Sequence, residues 1–285
     1  MRHAYCIMAH NNFNQLQMLI DVIDDERNTI FLHIDKKVWE NYNINHRVSS
    51  YKSEIIYVES LDVRWADVSQ TDAEIEIFKE VIKTNIHFDR VHLISGNDLP
   101  IRPQDYIHDF FEKYPQLEFL TISKDSKLYK KRLQYYHFFV KSIRTNKMAN
   151  IARRALLLIQ LPFINRLKKS PFGFYCGHNW CSITLRAVKK IVETYEQCRE
   201  IFCHTTSSDE CYKQMILKSD KSFEFYSGGN LRYVKWGEQR SPSPEIITMD
   251  DFEIVNNSNC LFARKFDVRV DCEIVKKIAM TVSKN

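Results

Sequence analysis

Short apolar runs alternate with helix-period segments along the first third of the chain. Ala4-Tyr5-Cys6-Ile7-Met8-Ala9-His10 is apolar on both strand faces, which predicts a buried first strand. After a turn at Asn11 to Asn14, Gln15 to Ile23 sets Leu16, Leu19, Ile20 and Ile23 on one helical face. Thr29-Ile30-Phe31-Leu32-His33-Ile34-Asp35 is a second buried strand closing on an acid. Strand, helix and strand predict a βαβ unit, and with it an α/β nucleotide-binding fold around a mostly parallel central sheet. Further strands are expected at 54–58, 88–94, 117–122 and 231–236. Thr71-Asp72-Ala73-Glu74 reads as a capping box opening a helix through Lys83. Helices are also expected at 106–113, 186–200 and 272–282. No repeat or low-complexity linker breaks the chain, so residues 1–285 read as one domain.

Several classes fall away on what is missing. No Gly-x-Gly-x-x-Gly follows the first strand, which argues against a dehydrogenase, and no Gly-Lys-Ser/Thr occurs, which removes P-loop enzymes. The 8 cysteines include no Cys-x-x-Cys, and the one cluster, Cys198, Cys203-His204 and Cys211, has no common zinc spacing. They read as reduced thiols. No signal peptide and no apolar run of spanning length is present, so a cytoplasmic location is expected.

Charge adds a sharper feature. The net charge of +5 fits an anionic partner without choosing among nucleotide, lipid and nucleic acid. Its distribution is uneven: between Asp125 and Glu193 there is no acidic residue, while 15 Lys and Arg fall in that interval. Residues 151–169 are apolar and cationic together. They are expected either to lie on an anionic membrane, at the inner face of the cell membrane, or to pack as an ordinary helix with solvated cations. Downstream, Ser207-Ser208-Asp209-Glu210-Cys211 precedes a helical stretch. Ser208 reads as its N-cap, with Asp209 and Glu210 in the first turn, where carboxylates suit the helix dipole.

Seven stretches in order resemble the core-2/I-branching glycosyltransferase family, which also contains peptide O-xylosyltransferases. They are 4–10, His33-Ile34-Asp35-Lys36-Lys37, Val63-Arg64-Trp65, 93–100, Trp180-Cys181-Ser182, Ser208-Asp209-Glu210 and 261–267. The resemblance implies a GT-A-type fold and inverting transfer from a UDP-sugar to a glycan hydroxyl, giving a β linkage. It implies GlcNAc as the first donor, with xylose, galactose and glucose open. It also implies no metal and no other cofactor, and the chain has no Asp-x-Asp.

By the same resemblance Glu210 is the catalytic base, and Arg264 with Lys265 meets the diphosphate. Met8, Asp35, Val63, Arg64, Trp65, Asn179 and Trp180 are donor-side residues. Ser241 is a phosphate contact, with Arg240 an equal candidate. Trp236 and Asp98 lie on the acceptor side. The resemblance points to a bacterial enzyme whose acceptor is an oligosaccharide or a lipid-linked glycan, with no nucleic acid involved. Two other readings stand beside it: a non-catalytic binder of nucleic acid or anionic lipid, told by salt-dependent binding without UDP, and a metal-dependent GT-A transferase, told by loss of turnover in EDTA.

Overall fold

The computed structural model describes residues 1–123, 127–237 and 243–283. In chain order the strands are β1 (His3–Ala9), β2 (Asn28–Ile34), β3 (Glu54–Tyr57), β4 (Arg90–Ser95), β5 (Leu99–Pro100), β6 (Leu117–Glu118), β7 (Cys181–Ile183), β8 (Glu224–Phe225), β9 (Arg232–Val234) and β10 (Phe262–Arg264). The central sheet has the order β3-β2-β1-β4-β7. Its first four strands are parallel and β7 runs antiparallel at one edge. The mostly parallel α/β sheet expected from the βαβ pattern is therefore present.

Both faces of this sheet are covered, which is why β1 and β2 read as unbroken apolar runs. Ala4, Cys6 and Phe31 face a core shared with helices Ser69–Lys83, Leu185–Cys198 and Tyr212–Ser219. Tyr5, Ile7, Ile30 and Leu32 face the other core, shared with helices Phe13–Ile23 and Cys272–Val282. A smaller sheet of order β5-β10-β9 sits beside the central one. It is fastened to the loop after β4: Phe266 N donates to Asn97 O at 2.9 Å, and the Asn97 side-chain amide donates to Phe266 O at 3.2 Å. From the helix after β1, Gln15 Nε2 also donates to Phe266 O, at 3.1 Å. The segment after β10 is thus pinned beside the carboxyl ends of β1 and β4.

Four local readings change. Helix Ser69–Lys83 starts before Thr71, so Thr71 and Glu74 are buried interior positions and not a capping box. Ser208 is no N-cap: Ser208–Glu210 forms a 3-10 turn entered through Ser207 at φ 53°, and the helix follows from Tyr212. Thr71 and Ser208 meet each other, with hydroxyl oxygens 2.8 Å apart. The strand expected over 117–122 is paired only at Leu117–Glu118, with an isolated bridge from Phe119 to Ser182. Finally, the basic apolar segment is helical over Lys147–Gln160, and Arg166–Lys169 is a separate 3-10 turn.

Candidate active site

The carboxyl ends of β1, β2 and β4 deliver His10, Asp35 and the Asn97-Asp98 turn to one edge, where β10 ends in Arg264 and Lys265. Asp35 is buried and accepts from Lys37 Nζ at 2.6 Å and from Lys37 N at 2.9 Å. Lys37 also bonds Asp62 at 2.9 Å, and Asp62 pairs with Arg64 at 2.7 Å, so the 62–65 loop is held over the end of β2. Trp65 is exposed, with the Arg144 guanidinium 4.0 Å from its ring centre. Met8 is half-buried, and its carbonyl accepts from Gly96 N at 2.9 Å.

The cations of this cleft are crowded. Burial and then Arg264 lower the pKa of Lys265, Asp267 and Asp98 oppose them, and Arg144 adds a smaller lowering. Desolvation likewise lowers His10, where Asp35 opposes and Lys265 and Lys37 reinforce. Among the described residues neither Lys265 nor Arg144 has an ion-pair partner. Three cations close together, two of them without an ion pair, favour an anionic ligand even with Asp98 bonded to Arg264. Arg264 is oriented by two groups: its Nε donates to Asp98 at 3.1 Å, and its guanidinium lies 4.7 Å from the Trp180 ring centre.

Glu210 comes near the same cations through His178. It is half-buried, and Oε2 pairs with Arg132 Nη1 at 2.6 Å. His178 lies within electrostatic reach of both Glu210 and Arg264 and links the two halves; desolvation lowers its pKa, Glu210 raises it and Arg264 lowers it. The His178 ring is also 6.3 Å from that of Trp236, which is exposed. The turn carrying Glu210 is tied down at several points. Gly177 N donates to Glu210 O at 2.9 Å, and a Cβ on Gly177 would sit 1.9 Å from Thr121 O, so only glycine fits there. Ser207 N donates to Ala66 O at 2.8 Å, and both residues hold left-handed φ values, 53° and 62°. Non-glycine residues in that region are strained, and the strain sits where the Trp65 loop meets the Glu210 turn.

Beneath Glu210 lies a buried polar network. Lys213 Nζ pairs with Glu74 Oε2 at 2.6 Å, both side chains being fully buried. Tyr212 OH donates to the same oxygen at 2.8 Å, and Asn179 Nδ2 donates to Glu74 Oε1 at 2.6 Å. Lys213 also donates to the Asn179 side-chain oxygen and, at 3.3 Å, to Asp209 O. Asp209 is buried with Oδ1 unpartnered among the described residues, and its pKa is pushed up to about 8 by burial and by Glu210 and Glu74.

Of the sequence-predicted residues, Glu210, Trp180, Trp236, Arg264 and Lys265 gather around His178 and β10. Asp35, Val63, Arg64 and Trp65 line the neighbouring end of β2. Two are placed otherwise. Asn179, expected at the donor, is buried with its amide taken up by Glu74 and Lys213. Asp98, expected on the acceptor side, is fully buried and accepts from Ser95 and Arg264, so it orients the cation. Arg240 and Ser241 lie outside the described residues. Sequence reasoning missed Arg132 and Arg144 individually, although both belong to the acid-free interval, and it missed His10, His178 and the Glu74–Lys213 pair.

This is the sheet, and the cleft at its carboxyl edge, of a GT-A-type glycosyltransferase. The family model described as Core-2/I-Branching enzyme matches residues 3–256, and the chain belongs to that family. No curated protein matches the chain. Among solved structures, the apo form of mouse xyloside xylosyltransferase 1 is similar over 92% of this chain and 97% of its own, at 11% identity and a TM-score of 0.37.

Proposed function

We propose that this glycosyltransferase moves a sugar from a UDP-sugar, GlcNAc first, to a hydroxyl of an oligosaccharide or lipid-linked glycan with inversion and without a metal. Glu210 takes the acceptor proton through Oε1 while Arg132 holds Oε2. As the acceptor oxygen bonds to C1, the bond from C1 to the diphosphate breaks and its electron pair leaves on the phosphate oxygen. Lys265, Arg264 and Arg144 meet that charge from fixed positions, the kind of preorganised electrostatics that stabilises a leaving anion. Trp236 offers a flat face to the acceptor sugar. The reaction belongs at the cytoplasmic face of a membrane, where a lipid-linked acceptor would be presented. The observation that carries the reading is the grouping itself: Lys265, Arg264 and Arg144 close together, with the Glu210 carboxylate brought near them through His178.

A thermal-shift panel of nucleotide sugars, with and without EDTA, tests it, since a ligand stabilises the fold by RT ln(1 + [L]/Kd). UDP compounds should raise Tm, GDP compounds should not, and EDTA should change neither Tm nor turnover. Glu210→Gln should keep the UDP shift and lose transfer about a hundredfold, the weight of a general base. Full activity in that variant removes Glu210 from the chemistry, and turnover abolished by EDTA overturns metal independence.

A further inference from the structure

Helix Lys147–Gln160 leaves an apolar face in solvent. None of its residues is buried. Met148, Ile151, Leu158 and Ile159 are each 60% exposed or more, and Phe163, just past its end, is 83% exposed. At 100° per residue, Met148, Ile151, Ala152, Ala155, Leu158 and Ile159 form one stripe roughly 120° wide. Asn150, Arg153 and Gln160 take the opposite side. There Gln160 Nε2 donates to Tyr136 O at 3.0 Å and Gln160 Oε1 accepts from Tyr136 N at 2.8 Å. This mixed side, with Leu156 and Leu157 also half-buried, attaches the helix, and the stripe of Met148, Ile151, Leu158 and Ile159 is left in water.

We infer that this stripe docks on an anionic lipid bilayer. Charge complementarity selects the occupant. The stripe lies within the acid-free interval, and Lys141, Lys147, Arg154, Lys168 and Lys169 are exposed around it. A second copy of this chain would bring like charges together across the contact, whereas a bilayer of anionic headgroups neutralises them while the apolar side chains enter the interface. The face is also joined to the catalytic cleft. Arg144, over Trp65, precedes the helix closely, and Arg132, on Glu210, sits on helix Lys127–Gln134, the segment before Tyr136. Membrane binding would set the mouth of the cleft at the lipid surface. The inference deepens the acceptor reading above and rests on it for the glycan alone.

Co-sedimentation of the full chain with phosphatidylcholine vesicles, with and without phosphatidylglycerol, tests the inference with no sugar present. The protein should bind only the anionic vesicles and be released by salt. Lys168→Gln with Lys169→Gln should weaken partitioning about thirtyfold, from roughly fivefold for each cation removed. Ile151→Ser, Leu158→Ser and Ile159→Ser together should abolish it while Tm and the UDP shift persist, because these side chains are exposed. No binding to anionic vesicles overturns the inference. So does a concentration-dependent dimer, seen by sedimentation, that the same triple variant dissolves. Vesicle binding without any UDP shift keeps the membrane face and instead sinks the donor reading.

Discussion

The Glu74–Lys213 pair gives the most demanding prediction, because stability and catalysis should separate on it. Lys213→Met removes the ammonium and leaves the Glu74 carboxylate with only Tyr212 and Asn179, in a site with no water access. Breaking a fully buried pair costs about 3–5 kcal/mol, since the remaining charge is uncompensated. Unfolding entropy of ~2.1 cal/mol/K per residue gives about 0.6 kcal/mol/K for a chain of 285 residues. Tm should therefore fall by roughly 5–8 °C. Removing the second charge as well, as Glu74→Gln with Lys213→Met, should recover most of that loss, because well-packed neutral replacements of buried pairs are often near neutral.

Turnover should not recover with it. Lys213 also donates to Asp209 O, one residue from Glu210, and holds Asn179 between His178 and Trp180. Neither contact returns in the double variant, so kcat should stay low at temperatures well below Tm while the UDP shift persists. Calorimetry and a transfer assay on the three variants decide the matter. A double variant as unstable as Lys213→Met would refute the uncompensated-charge argument. One with full kcat would refute the claim that the network positions Glu210.

The remaining expectations separate the parts of the cleft. Lys265→Ala should weaken UDP about tenfold to a hundredfold, the range for a hydrogen bond to a charged group, read by titration calorimetry. Trp236→Ala should spare UDP affinity and raise the acceptor KM, and a loss of UDP binding would move Trp236 to the donor side. Asp209→Asn should raise Tm, and by more as pH rises. The native protein keeps the Asp209 proton up to about pH 8, whereas the unfolded chain releases it near its ordinary value of 3.8. The stability this group contributes is complete below that ordinary value and is lost as pH climbs through about 8. Parallel Tm curves for variant and parent between about pH 5 and 9 would refute the assignment.

Elements whose folding rests on near-neighbour pattern were legible, and elements whose partners lie far along the chain were not. The C-terminal helix falls at Cys272–Val282 as its apolar spacing predicts, and β1 and β2 fall within one residue of the apolar runs. The Thr71–Glu74 reading failed because Ser/Thr-x-x-Glu describes two different outcomes. A glutamate can reach back to its own backbone, or it can cross to another element when a buried cation waits there. Here the cation is 139 residues away at Lys213, and no local window contains it. The same limit explains Asn179 and Asp98. Which groups their side chains spend their hydrogen bonds on is fixed by the packing of helix Tyr212–Ser219 and of β10.

For the basic segment the difficulty is of another kind. An apolar stripe at helical spacing looks the same in sequence whether it faces a core or solvent, since period carries amplitude but no direction. What shows the direction is the pattern of exposure: Met148, Ile151, Leu158 and Ile159 lie in solvent, while the side with Asn150, Arg153, Leu157 and Gln160 is half-buried, with Gln160 bonded at both side-chain ends to Tyr136. Leu156 and Leu157 share that attached, half-buried side, so the helix spends two leucines on the protein and leaves a second apolar stripe in water. The missing acids complete the argument: a solvated surface of this size normally mixes both signs of charge, and one that excludes carboxylates from Asp125 to Glu193 is adapted to a partner that supplies them. The proposed cleft draws on that same interval through Arg132 and Arg144, so one run of sequence would serve both a ligand phosphate and a phosphate-bearing surface.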